Sequence, residues 1–251
     1  MTGARKTLLV TGGSTGIGAA VARLAAKQGY DVAIGWRGDA AGAEAVHADC
    51  VAAGVNAVTL RADLSQPNGP AALFAGFDAA FPRLDAFVNN AGVVDVAARV
   101  EDYDEARLRR MFDTNLTGPF LCAGAAVRRM STRHGHAGGV IVNISSAAAR
   151  LGGAGNYVDY AASKAGIDLL TKGLADEVAA EGIRVCGLRP GIIETDIHAK
   201  GGQPDRARLM APNVPMRRSG TAGEVAEAVM WLISEGASYV TGATLDVSGG
   251  R

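Results

Sequence analysis

The sequence has no net charge, its 251 residues holding 25 Lys+Arg and 25 Asp+Glu. That balance gives a nucleic acid or an anionic membrane nothing to be drawn to. Cysteine is scarce: Cys50, Cys122 and Cys186 are odd in number, far apart and without a C-x-x-C pair. Neither a disulfide framework nor a metal site is expected, and a reducing cytoplasm suits such a chain. No apolar run approaches the ~20 residues that would span a bilayer. The N-terminal apolar stretch, Leu8 to Val10, is too short for a secretory signal. A Pro-, Ser- or charge-rich linker and internal repeats are missing as well, so residues 1–251 read as one soluble domain.

Glycine is in excess, with 34 residues, about twice the usual ~7%. It follows no G-X-Y period, which excludes collagen and implies tight turns or close backbone approaches. A composition 48% hydrophobic and 20% charged supplies a sizeable core. Short apolar runs recur at Thr7 to Val10, Asp31 to Trp36, Ala57 to Leu60, Ala86 to Val88, Val140 to Ile144, Arg184 to Leu188 and Ala243 to Val247. Ala-rich segments such as Gly18 to Gln28 and Ala40 to Ala53 lie between the early ones. Near-continuous apolar strands alternating with helices predict an α/β fold, a doubly wound parallel sheet with helices on both faces.

The first run ends in Thr11-Gly12-Gly13-Ser14-Thr15-Gly16-Ile17-Gly18, and a helical pattern follows at once. At such a handover the free N–H groups and the positive end of the helix dipole favour an anion, and missing Cβ atoms let a pyrophosphate come close. Alone this is equally a mere turn; its strand-before, helix-after context favours dinucleotide binding. Three motifs accompany it: Asn89-Asn90-Ala91-Gly92, Ser146, and Tyr160-x-x-x-Lys164. The set resembles the classical short-chain dehydrogenase/reductase family from Lys6 to Gly250, nearest in look to 3-oxoacyl-acyl-carrier-protein reductases and sugar dehydrogenases. The resemblance implies a Rossmann fold with seven parallel strands, a nicotinamide cofactor, and hydride transfer between it and an alcohol or carbonyl.

Carbonyl reduction needs a proton donor and alcohol oxidation a base, so one group with a pKa near working pH serves both. Tyr160 is the expected acid/base. Lys164, four residues on, shares its face if residues 157–181 form one helix. Lowering the phenol by about three units would take roughly 4 kcal/mol of differential stabilisation; the resemblance adds that Lys164 binds the ribose hydroxyls. Tyr157 is followed at that spacing by Ala161, so it reads as a substrate-side or packing residue. Neighbours on a strand face opposite ways, and the family pattern selects Ser146 to polarise the substrate, leaving Ser145 a backbone hydrogen bond. The Ser146 to Tyr160 interval is one residue longer than in many members. Asn115 matches an asparagine whose main-chain carbonyl holds a relay water. Pro119, four residues later, lacks the N–H that this carbonyl would accept, although Gly118-Pro119 breaking the helix is a second reading.

At the end of the second strand Trp36 stands where an acid would select NAD, and Arg37 follows. A guanidinium suits a 2′-phosphate, so NADP(H) is expected over NAD(H), Arg37 as a solvated loop cation being the plain alternative. Asp39 lies three residues past the acidic position. By the same resemblance Asp63 and Leu64 hold the adenine. Asn90, Ala91 and Gly92 flank the cofactor, with Asn90 open to a purely structural role. Ser14, Thr15 and Ile17 belong to the phosphate turn, and Pro190, Gly191, Ile193 and Thr195 seat the nicotinamide. Cys186 stands where many members have asparagine. Residues 192–215 are expected as a substrate lid. A small alcohol or carbonyl is the expected substrate. Arg128, Arg129 and Arg133 suggest a dock for an acidic carrier or an ordinary solvated helix end, with Asp176, Glu177 and Glu181 opposing the former. A homotetramer through the helices of Asn115 and Tyr160 and the C-terminal segment is the expected assembly. Intact Ser146, Tyr160, Lys164 and Asn115 argue against a silent cofactor-binding regulator or scaffold. A dehydratase or epimerase would need a longer chain.

Overall fold

Strands apolar on both sides need cover on both sides, and the helices between them provide it. In the computed structural model, which describes residues 5–251, the strands are β1 (Thr7–Val10), β2 (Asp31–Trp36), β3 (Ala57–Arg61), β4 (Ala86–Asn89), β5 (Gly139–Ile144), β6 (Ile183–Pro190), β7 (Ile193–Glu194), β8 (Gly220–Thr221) and β9 (Thr244–Val247). Seven form one parallel sheet in the order β3-β2-β1-β4-β5-β6-β9, and β7 pairs with β8 beside it. All seven expected strands are present, and β6 reaches two residues further, to Pro190.

The helices are α1 (Gly16–Lys27), α2 (Ala40–Ala52), α3 (Gly69–Ala80), α4 (Glu105–Phe112), α5 (Gly118–Met130), α6 (Ala148–Leu151), α7 (Val158–Val178), α8 (Ile197–Lys200), α9 (Arg206–Met210) and α10 (Ala222–Ile233). Two apolar layers sandwich the sheet. One joins Val21, Ala22 and Ala25 of α1 and Val225 and Val229 of α10 to Leu8, Val10, Val32 and Ile34. The other joins Phe74 and Phe77 of α3 and Ala126 of α5 to Leu9, Phe87 and Ile141. Successive residues of β1 thus feed opposite layers, as the period of two requires. The three cysteines are free and buried; burial pushes the thiols of Cys50 and Cys122 up to about 11 and 12. Among the described residues no helix is long and apolar enough to cross a membrane.

Two local expectations are corrected. The helix expected over residues 157–181 is α7 alone, followed by a tighter 3-10 turn, Ala179–Glu181, and by Gly182 at φ +77°. Left-handed backbone, which glycine adopts without strain, ends the helix there. Pro119 does not break the chain: a π-helical turn, Asp113–Thr117, links α4 to α5, and Pro119 sits in the first turn of α5, where a missing N–H costs little. The turn widens the spiral, so that Gly118 N–H donates five residues back, to Asp113 O.

Candidate active site

Strand order reverses between β1 and β4, and ligands of open parallel sheets bind beyond the strand ends at such a point. A cleft of about 1000 Å³ opens there, between the glycine turn after β1 and residues 90–94 after β4. Gly12 and Gly16 hold φ of +65° and +54°. Thr15 precedes α1 without a side-chain cap bond, and no acid stands in the first turn. The helix therefore offers an uncompensated positive end to the cleft. A Cβ on Gly16 would come within 3.2 Å of Thr195 Cγ2, so the segment after β6 closes over the turn.

Of the residues expected at the site, all line this cleft except Gly18 and Asn115. Gly18 acts from behind, where a Cβ would lie 2.3 Å from the Gly12 carbonyl oxygen; its missing side chain lets the turn fold back on the helix. Asn115 is fully buried. Its Oδ1 accepts from Val93 N–H at 2.8 Å and its Nδ2 donates to Val93 O at 2.8 Å. The side chain thereby fixes the loop that carries Gly92 beside Lys164, and Thr114 takes the neighbouring place in the cleft wall. Asn90 likewise spends its amide on Thr11 O at 2.8 Å, tying β4 to the glycine turn while its residue still faces the cleft.

Tyr160 and Lys164, one turn apart on α7, meet Ser146 from the end of β5. Lys164 is buried, and its Nζ lies 5.8 Å from the centre of the Tyr160 ring and donates to Ile144 O at 2.8 Å. The Ser145 hydroxyl, just past the end of β5, donates to Lys164 O at 3.0 Å. Burial pushes the Tyr160 phenol above its ordinary value, a hydrogen bond with Ser146 acting the other way. Burial also lowers Lys164 to about 8, against the pull of Asp168. Here Nζ is directed at the Ile144 carbonyl, and burial disfavours the charged form of both the phenol and the lysine.

At the far end of the cleft Trp36 is half-buried, and its Nε1 has no hydrogen-bond partner among the described residues. Arg61, on the neighbouring strand, lies 5.6 Å from its ring centre. Arg37 is half exposed, with Asp63 Oδ1 at 3.8 Å. Burial opposes it, yet hydrogen bonds from Ser65 and the Arg37 guanidinium together hold the Asp63 carboxyl below its ordinary value. Asp39 is spent capping α2, its Oδ1 accepting from Gly42 N–H at 3.0 Å.

The matching family model, described as Enoyl-(Acyl carrier protein) reductase, covers residues 12–251. Oxidoreductase YgfF of Escherichia coli K12 is 49% identical, over 97% of this chain and 98% of its own. A 3-ketoacyl-(acyl-carrier-protein) reductase from Brucella melitensis, complexed with NADH, superposes with a TM-score of 0.89 at 31% identity, covering 98% of each chain. A short chain dehydrogenase from Burkholderia cenocepacia, in complex with NADP, does so at 0.90 and 32%, covering 98% of this chain and 97% of the other. The chain belongs to the short-chain dehydrogenase/reductase family. It is an oxidoreductase of that family.

This short-chain dehydrogenase/reductase also lines its cleft with residues that no motif announced: Val93, Val94, Asn156, Arg206 and Arg251. Tyr157, expected as a substrate-side or packing residue, is buried in the wall beneath the Arg206 guanidinium, 5.2 Å from its ring centre. The stretch 192–215 is built from β7, α8 and α9 around a small apolar cluster of Ile192, Ala207 and Val214. The suggested basic dock is largely consumed. Arg129 makes two bonds to Asp78 at 2.7 and 2.6 Å, and Arg133 lies 3.9 Å from Glu181. Cys186, in the usual asparagine position, is buried with its Sγ 3.2 Å from Val240 O.

Proposed function

We propose that the enzyme transfers a hydride between NADP(H) and a small alcohol or carbonyl, with Tyr160 as general acid/base. The observation that carries this is a phenol flanked by Ser146 and Lys164 on the wall of a cleft whose other end is an uncapped, glycine-lined helix N-terminus. The residues suit a dinucleotide: Gly12 and Gly16 line the cleft at the uncapped start of α1, Gly18 lets that turn fold back on the helix, and the unpartnered Trp36 Nε1 is a donor awaiting an acceptor. When bound, the nicotinamide supplies or accepts the hydride.

Ser146 holds the substrate oxygen by hydrogen bond, and the Tyr160 hydroxyl gives its proton to that oxygen in reduction or takes one from it in oxidation. Lys164 orients the ribose and keeps a positive charge beside the phenol. Asn115 holds the loop that abuts Lys164, with its carbonyl available to a relay water. Asp63 and Leu64 serve the adenine, and residues 192–215 act as the substrate lid. A panel of alcohols with NADP+ and of carbonyls with NADPH, followed by absorbance of the reduced cofactor, tests the reading. Turnover of no member overturns it.

The preference for NADP(H) rests on Arg37 and Arg61 at the end of β2 and β3, where no carboxylate occupies position 36 to repel a 2′-phosphate. The Asp63 contact at 3.8 Å is long for a committed pair, so Arg37 is free to turn to a phosphate. Arg37→Asp is expected to lower the NADPH to NADH ratio of kcat/KM by roughly 100-fold, since it replaces attraction by repulsion. An unchanged ratio sinks the assignment.

The same reading has the protein as a cytoplasmic homotetramer. Its support is apolar surface on the helices named for the interface: Phe120 and Leu121 on α5 and Leu169 on α7 are exposed, Leu169 by 75%, and Trp231 and Leu245 are exposed near the C-terminal segment. A second copy of the chain is the partner that buries both faces with one symmetry. Leu169→Glu is expected to shift the mass seen by light scattering from tetramer to dimer. A wild-type monomer would refute the assembly.

A further inference from the structure

Three cations line the cleft around the lid, Lys200 on α8, Arg206 on α9 and Arg251, whose own terminal carboxylate accompanies it; among the described residues Lys200 and Arg206 have no carboxylate within ion-pair distance. Elsewhere the protein pairs its arginines freely, as in Arg189 with Asp168 at 2.7 Å and Arg218 with Glu224 at 2.5 Å. Arg206 is the most constrained of the three. Its guanidinium lies over the Tyr157 ring and donates from Nη1 to Gln203 Oε1 at 2.7 Å. Both contacts are neutral, so they fix where the cation sits without cancelling its charge. Among the described residues its remaining guanidinium N–H groups have no acceptor. Tyr157 stands three residues before Tyr160, so this charge is carried to the substrate end of the cleft. The acid of that wall, Asp196, is exposed and pairs with none of the three.

We infer that the substrate bears a carboxylate besides its reacting hydroxyl or carbonyl, and that Arg206 selects for it. A half-buried guanidinium held open in a cleft is complementary to a planar anion, which it binds through two parallel charge-assisted bonds that an ester or amide cannot match. Lys200 adds attraction without fixed geometry. The inference rests on the alcohol–carbonyl reading for the identity of the reacting group, and on the unpaired cations alone for the carboxylate.

The test compares NADPH-dependent reduction of 4-oxopentanoate and 4-oxocyclohexanecarboxylate with that of their methyl esters, in wild type and in Arg206→Gln. The wild type is expected to favour the acids by 10-fold or more in kcat/KM, and the substitution to erase most of that ratio through KM for the acids. A ratio near one in the wild type overturns the inference and leaves the oxidoreductase reading intact. So does an Arg206→Gln variant that changes KM for NADPH but not the ratio, since the cation would then serve the cofactor. If no member turns over, calorimetry with cyclohexanecarboxylate and cyclohexanecarboxamide in the presence of NADP+ decides independently. Saturable binding of the acid alone, lost in Arg206→Gln, supports the carboxylate site, and equal or absent binding of both removes it.

Discussion

Tyr160→Phe is expected to lower kcat by about 10²–10⁴-fold while NADPH affinity stays within a few-fold of wild type. Phenylalanine keeps the ring in its packed position on α7 and removes only the oxygen that Ser146 and Lys164 flank. Fluorescence titration with NADPH and single-turnover reduction separate the two quantities; a kcat within tenfold of wild type would take Tyr160 out of the mechanism. The pH dependence follows from the directions of the shifts. Because burial raises the phenol, it stays protonated across neutral pH, the form that donates in reduction. Alcohol oxidation needs the phenolate and is expected to accelerate as pH rises, a dependence absent from the phenylalanine variant. Lys164, lowered to about 8, carries its charge below that pH and loses it above, so the contact proposed for it with the ribose is expected to weaken on the alkaline side.

The sheet was legible because its strands are short apolar runs, the inner ones buried on both faces and only the edge strands β3 and β9 partly open. The meeting of Tyr160 and Lys164 on one face was legible too, because both lie in α7 one helical turn apart. Features set by distant partners were not. The fate of Arg129 depends on Asp78, 51 residues earlier, and that of Asn115 on Val93, 22 residues earlier; neither pairing leaves a local pattern. The two-residue strands β7 and β8 are too short for any periodicity, and Arg206 enters the cleft from a five-residue helix with no motif around it. The direction of the Tyr160 shift needed the depth of burial, which spacing does not report. Asp39 shows the reverse case: an acid just before an Ala-rich helix is a cap by sequence rule, and its position past β2 drew attention to the cofactor instead.

The largest stability effect is expected at a pair that no motif marked. Asp159, beside Tyr160, has a side chain with no solvent exposure and faces Arg107 of α4, itself 9% exposed. Arg107 Nε donates to Asp159 Oδ2 at 2.7 Å and Nη2 to Oδ1 at 3.3 Å, while Nη1 donates to Val96 O at 2.7 Å. The guanidinium also lies 4.1 Å from the centre of the Tyr103 ring. Asp159 Oδ1 accepts the Tyr160 N–H at 2.9 Å, so one ion pair joins α4, the loop before it and the residue that carries the phenol. Asp159→Ala strands a buried cation, which costs about 3–5 kcal/mol, and at ~2–4 °C per kcal/mol for a chain of this size the melting temperature is expected to fall by roughly 10 °C. The double variant Asp159→Leu/Arg107→Met removes both charges and is expected to regain most of that stability, because apolar groups of similar volume often replace a buried pair at little cost. Its kcat is expected to remain low with KM little changed, since the tie that orients Tyr160 is gone. A double variant with wild-type kcat would reduce the pair to a structural strut, and a single variant as stable as wild type would show that the cation finds water when its partner is lost.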